Sequence, residues 1–223
     1  MLRFMPVGDS MTIGSAGEHT WRYRMWQHLR ETYPGPFRIV GPRETLYDKA
    51  TGSPDSYEYA DPGFPRAHLA GWGEGWIHLT PLIREAVRTQ RADVLLVSLG
   101  LIDLGFYTNA AQTADNARAF VAEARAANPR IRMVVLPVIP NVRVETDAPF
   151  AAEVASFNEL LAKAVADLDE PRSPLLLASP PSYDTTFDTY DGTHPNENGE
   201  HRIAAGFAEA MYQAWDLGEP YSG

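Results

Sequence analysis

Asp93-Val-Leu-Leu-Val-Ser-Leu-Gly100 is the stretch on which the fold turns. It is a short, continuous apolar run bounded by Asp and Gly, the pattern of a strand covered on both faces. Such a strand needs helices above and below it, and the flanking sequence supplies them. On the carboxyl side, Ala111 to Asn128 reads as a helix ended by Pro129, and Ile131 to Val138 as a buried strand. Pro149 to Leu168 reads as an amphipathic helix with Val154, Phe157, Leu161, Ala164/Val165 and Leu168 on one face. Leu175 to Ser179 and Pro195 to Trp215 read as the last strand and the last helix. On the amino side, His78 to Gln90 looks helical, Phe37 to Val40 looks extended, and Trp21 to Tyr33 is a helix stopped by Pro34. Leu2 to Val7 is a first buried strand, ending at Gly8.

Strands alternating with helices predict an α/β three-layer sandwich around a central, mostly parallel sheet of five strands. No repeat or linker divides the chain, so residues 1–223 are expected to form a single domain. Gly41 to Trp76 is the exception to the alternation. A segment that long, rich in Gly, Pro, Asp and Tyr, is expected to be a functional loop. Its aromatic residues Tyr47, Tyr57, Tyr59, Phe64, Trp72 and Trp76 suit either a substrate wall or the packing that holds the loop down.

Composition excludes several classes of function. With 44% hydrophobic residues, five Trp, nine Phe and ten Tyr, the chain can bury a core, so a disordered or fibrous protein is excluded. Its net charge of −10 repels phosphate backbones, which argues against nucleic acid as a partner. Cysteine is absent, which removes disulfides, thiolate zinc sites and a Cys nucleophile. No apolar run is long enough to span a membrane, and the first ten residues do not read as a signal sequence. A cytoplasmic location is the expectation. His19, His28, His68, His78 and His201 have no metal-ligand spacing, so no cofactor is expected.

Two segments carry chemistry. Gly8-Asp9-Ser10-Met-Thr12 lies where the first strand ends, a place that exposes a serine on a tight turn with backbone N–H groups facing any developing anion. Taken alone, it reads more readily as a helix cap. Asp191-Gly192-Thr193-His194-Pro195-Asn196 opens the last helix, with a carboxylate and an imidazole three residues apart. A serine nucleophile needs such a base, and the base needs a carboxylate to fix its tautomer. A parallel sheet brings the two loops to one edge.

On the Met5-Pro-Val-Gly-Asp-Ser10-Met-Thr-Ile-Gly14 block and on Asp191-Gly-Thr-His194-Pro-Asn, the chain resembles the SGNH (GDSL) hydrolases. The resemblance implies a flavodoxin-like sandwich, small-molecule ester or thioester substrates and no cofactor. Carried over by position, Ser10 would be nucleophile, His194 general base and Asp191 its orienting acid, with Asp9 beside the nucleophile in the pocket. The family's oxyanion glycine falls in His68-Leu-Ala-Gly71-Trp72-Gly73-Glu-Gly75-Trp76. Ala-Gly71-Trp72 looks most like the form in carbohydrate-esterase-like members, so Gly71 leads and Gly73 is second. His68 and Trp72 would line the pocket.

In the family's Gly-x-Asn-Asp block this chain reads Gly100-Leu101-Ile102-Asp103. Ile102 cannot donate the hydrogen bond that Asn supplies, and losing one oxyanion donor typically costs on the order of 10²–10³ in turnover. Asn109 is a substitute to weigh, although its place suits the start of the next helix. An apolar residue beside the nucleophile also makes a drier pocket. Three readings follow: a serine-dependent esterase, an acyltransferase or cyclase using the same acyl-enzyme, and a binding module with a vestigial site. An added alcohol acceptor separates the first two, and covalent labelling of Ser10 separates both from the third. Asp184 and Asp188 read as solvated.

Overall fold

The computed structural model describes residues 1–179 and 183–223. Its strands are β1 (Leu2–Gly8), β2 (Phe37–Ile39), β3 (Leu46–Asp48), β4 (Ser53–Ser56), β5 (Leu69–Ala70), β6 (Val94–Ser98), β7 (Arg132–Val135) and β8 (Leu175–Leu177). Its helices are α1 (Ser10–Ile13), α2 (Trp21–Thr32), α3 (Trp76–Gln90), α4 (Ala110–Ala127), α5 (Val142–Thr146), α6 (Ala148–Leu168) and α7 (Glu197–Trp215). A π-helical turn, Asp103–Tyr107, follows β6.

The central sheet runs β2-β1-β6-β7-β8, with every pair parallel. This is the expected five-stranded sheet; four strands fall within a residue or two of the predicted run, and β7 ends at Val135, three residues before the expected Val138. The two-residue β5 is an addition: it pairs with Val7 and Gly8 beyond the point where β2 leaves β1. Such a strand is too short to carry any periodicity in the sequence. All five residues of β6 are buried, and its neighbours β1 and β7 contribute Phe4, Met5, Val7, Met133, Val134 and Val135 to the same core. Counted without the short strands, the order is the flavodoxin-like one, in which the topological switch lies between the first strand and its inner neighbour. Here that crevice opens at the carboxyl ends of β1 and β6.

The long loop is not featureless. It holds the β3–β4 hairpin, and its aromatic residues divide between the two expected roles. Tyr59 and Phe64 join Leu46 and Tyr23 in a small buried cluster, and Trp76 enters the main core against Phe120. Tyr57 faces solvent. Trp72 goes to the sheet edge where it meets His194.

Candidate active site

The turn that carries Ser10 is built from buried parts. Asp9 caps α1 by accepting the Met11 N–H at 3.0 Å, and Ser10 occupies the first helical position, where an N–H has no partner within the helix. Gly8 is required just before it, because a Cβ there would meet the Thr12 side chain and the Ser98 carbonyl at under 3 Å. From the far side, the fully buried Arg22 donates to the carbonyls of Thr12 at 2.8 Å, Ile13 at 2.9 Å and Arg66 at 3.0 Å, and to the Tyr59 hydroxyl at 3.1 Å. Its charge therefore satisfies the exposed carbonyl end of the one-turn helix and ties it to the long loop.

Asp191 and His194 sit on a tight turn closed by hydrogen bonds from Tyr190 N–H to the His194 carbonyl and from Gly192 N–H to Thr189 Oγ1. Gly192 adopts φ +82°, a backbone shape that glycine enters without strain. Asp191 Oδ2 lies 2.7 Å from His194 Nδ1, and Oδ1 accepts the His194 and Thr193 N–H groups at 2.7 and 3.0 Å. Burial pushes the Asp191 carboxyl up, but these hydrogen bonds outweigh it and hold the group below its usual range. His194 Nε2 is 3.0 Å from Ser10 Oγ. The two ends of the chain thus meet in the Ser-His-Asp order that the sequence implies.

The imidazole is also held by its face. Trp72 stacks on it with centroids 4.5 Å apart and planes 19° apart, and Tyr47 stacks on Trp72 at 4.1 Å and 13°. A cavity of about 450 Å³ opens beside this group, lined by Ser10, Trp72, Gly73 and His194 on one side and by Leu101, Ile102, Phe106, Tyr107 and Phe150 on the other.

Several expectations need correction. Gly71 donates its N–H to the Gly8 carbonyl at 3.2 Å, so it is turned into the sheet edge; Gly73, placed second from sequence, is the glycine at the cavity. His68 does not line the cavity. It is fully buried within the long loop, with Nε2 against the Thr45 carbonyl at 2.9 Å and Nδ1 accepting the Ala70 N–H at 3.0 Å. Burial and the Arg22 charge lower its pKa well below the ordinary histidine value. Asp9 lies beneath the serine rather than in the pocket, and Asp188, expected in solvent, is buried and accepts the Asp184 N–H at 2.8 Å. Asn109 caps α4 by accepting the Gln112 N–H at 2.9 Å, and it does not line the cavity.

Asp103 has a role that sequence reading missed. Its buried carboxylate accepts the Trp76 and Ile77 N–H groups at 2.9 and 3.1 Å, capping α3 directly behind the Gly71–Gly75 loop. A Cβ at Gly75 would lie 2.2 Å from this carboxylate, so only glycine fits there. The residue after Ile102 therefore fixes the loop that carries Gly73. Asn141, also unremarked in sequence, lines the cavity, and its Nδ2 donates to Thr193 Oγ1 at 3.4 Å. Among the described residues no cluster of three metal-ligating side chains exists, and no helix is long and apolar enough to cross a membrane.

Strand order and the edge shared by β1, β6 and the Asp191–His194 turn define an α/β sandwich of the SGNH hydrolase type. More closely, the chain belongs to the GDSL-like lipase/acylhydrolase family, whose model matches residues 7–202. A multidomain esterase from Ruminococcus flavefaciens is 21% identical over 220 residues; the match covers 94% of this chain and 28% of that protein. The chain thus spans under a third of its curated relative. Among solved structures, an acetyl esterase mutant with acetate ion superposes with a TM-score of 0.76 at 22% identity, covering 96% of this chain and 97% of that one. A family 3 carbohydrate esterase from Talaromyces cellulolyticus gives 0.76 at 23%, with 96% and 97% covered. One from Clostridium thermocellum gives 0.72 at 19%, with 95% and 96% covered. At these identities the structural likeness establishes the shared fold.

Proposed function

We propose that this chain hydrolyses a carboxylic ester through a covalent acyl-serine. The observation that carries the reading is the continuous hydrogen-bonded line from Ser10 Oγ through His194 to Asp191, opening onto the cavity. His194 Nε2 takes the hydroxyl proton as Ser10 Oγ bonds to the ester carbonyl carbon. As the carbonyl re-forms, the C–O bond to the alcohol breaks and His194 returns the proton to the leaving oxygen. Water then adds by the same route in reverse, releasing the acid and restoring the serine. Asp191 keeps Nδ1 protonated and steadies the imidazolium.

The oxyanion is received by the Ser10 and Gly73 N–H groups. Ile102 contributes no donor, so the hole is one hydrogen bond short of the family's set. Family membership favours water as the acceptor over a second alcohol or an internal nucleophile. The relatives named as acetyl and carbohydrate esterases support an acyl ester of an alcohol as the substrate class.

The test is hydrolysis of p-nitrophenyl acetate together with labelling by a serine-directed phosphonate. Wild type is expected to turn over and be labelled, and Ser10→Ala to do neither. Ile102→Asn is expected to raise kcat by supplying the missing donor. An undiminished rate in Ser10→Ala overturns the proposal.

A further inference from the structure

The wall of the cavity opposite His194 has an unusual construction. Asp103 is pinned by its two bonds to α3, and the Thr108 N–H reaches back to the Asp103 carbonyl at 2.8 Å, five residues away. One extra residue is thereby accommodated in the turn, a local widening that recurs at functional sites. Its effect here is to push Phe106 and Tyr107 outward, leaving them 76% and 55% exposed. Arg143 braces the turn by donating to the Gly105 carbonyl at 3.2 Å while lying over the Phe150 ring at 4.2 Å.

The two exposed rings continue inward through Leu101, Ile102 and Phe150 to Ser10, giving one apolar surface that runs from the rim to the nucleophile. Large apolar side chains left in water beside a reacting group mark a surface that a ligand covers. Polar groups also line the cavity, but Arg143 is held by the Gly105 carbonyl and by Asp147, and Asn141 Nδ2 and Thr193 bond each other beside His194, so the surface formed by Leu101, Ile102, Phe106 and Phe150 carries no polar side-chain group of its own. An acetyl group would leave most of the roughly 450 Å³ unfilled.

We infer that this wall binds an apolar chain or ring of about four to eight carbons belonging to the ester substrate. The inference rests on the acyl-serine reading for the placement of the scissile carbonyl at Ser10, and it names the chemistry of the group lying against Ile102 and Phe106. The group is either the acyl chain or the alcohol; both present the same surface to the wall.

Two ester series separate these sources: p-nitrophenyl acetate, butyrate and hexanoate lengthen the acyl side, and ethyl, butyl, hexyl and benzyl acetate enlarge the alcohol side. One series is expected to rise in kcat/KM by roughly threefold per added methylene, since each buried CH2 contributes binding free energy. The rise is expected to collapse in a Phe106→Ser/Tyr107→Ser variant. Both substitutions fall on exposed side chains, and melting temperature checks that the fold survives. In parallel, calorimetry on Ser10→Ala reads binding of hexanoate and hexanol against acetate and ethanol. At least tenfold tighter binding of a six-carbon ligand supports the inference even where no ester is hydrolysed, an outcome that removes the acyl-serine reading alone. Flat profiles in both series, with six-carbon and two-carbon ligands bound equally, overturn it.

Discussion

Every residue from Asp9 to Ile13 is at most 5% exposed, whereas Asp191 is exposed and Gly192, Thr193 and His194 are half-buried. The serine is positioned from within: α1 is too short to hold its own shape, and Asp9 below and Arg22 behind supply the bonds it lacks. The histidine is positioned by an outer turn whose own hydrogen bonds join residues 189 to 195, steadied from outside by the Val142 N–H on the Gly192 carbonyl at 2.7 Å and by Asn141 Nδ2 on Thr193 Oγ1. Accuracy at Ser10 therefore depends on buried bonds from distant elements, while accuracy at His194 depends on a local turn with the Trp72 ring laid against its imidazole. Damage to the first is expected to appear as lost stability, and damage to the second as lost chemistry.

The largest effect should come from the exposed half. Asp191→Asn is expected to lower kcat by about 10⁴-fold, because the amide favours the wrong imidazole tautomer. Melting temperature should stay within about 2 °C of wild type, as for a surface change of a few tenths of a kcal/mol. A large fall in melting temperature would show that the turn supports the fold after all, and the contrast would fail.

Arg22→Met should behave in the opposite way. It leaves three carbonyls and a phenol without their donor in a buried site, a loss of about 3–5 kcal/mol in denaturant unfolding. The folded fraction is expected to retain reactivity toward the serine-directed phosphonate. A variant of unchanged stability would mean that α1 holds itself.

Asp9→Asn sharpens the comparison through pH. Burial, with the neighbouring Asp103 charge adding to it, pushes the Asp9 carboxyl up to about 7 from 3.8. Between those values the folded chain keeps a proton that the unfolded chain has lost, so this group's contribution to stability falls as pH rises from about 4 to about 7. At pH 8 the full penalty applies, on the order of 2–4 kcal/mol. Asn caps a helix as well as Asp does and carries no charge. The variant should thus melt several degrees above wild type at pH 8 and alongside it at pH 4. Equal gains at both pH values would place the Asp9 titration elsewhere.

The parts legible in the sequence are those whose signals are local. The run at Asp93–Gly100 identifies its strand because burial on both faces needs apolar residues in sequence, and Asp191 and His194 announce a candidate site because they lie three positions apart. Asp188, Arg22 and His68 were not legible as interior residues, since a charged or polar side chain reads as solvated until its distant partners are known. The same holds for Gly71 and Gly73. Which of two glycines offers its N–H depends on the pairing of β5 with β1, a contact between residues more than sixty positions apart. The widened turn at Asp103–Tyr107 is set by an anchor on α3, so nothing within the five residues themselves encodes it.

The near-parallel rings of Tyr47, Trp72 and His194 have a mechanical consequence. A flat ring pressed face-on against another loses its tilts, which would pry the faces apart, and keeps the glide within its own plane, which costs little contact. In the proposed reaction the imidazole has to visit two oxygens in succession, that of the serine and that of the departing alcohol. Both visits need only the in-plane glide, so the stacking removes the unproductive motions and leaves the useful one free. Tyr47 comes from the β3–β4 hairpin, so this guide rail for the proton is laid by a part of the chain that contributes no group to the reaction.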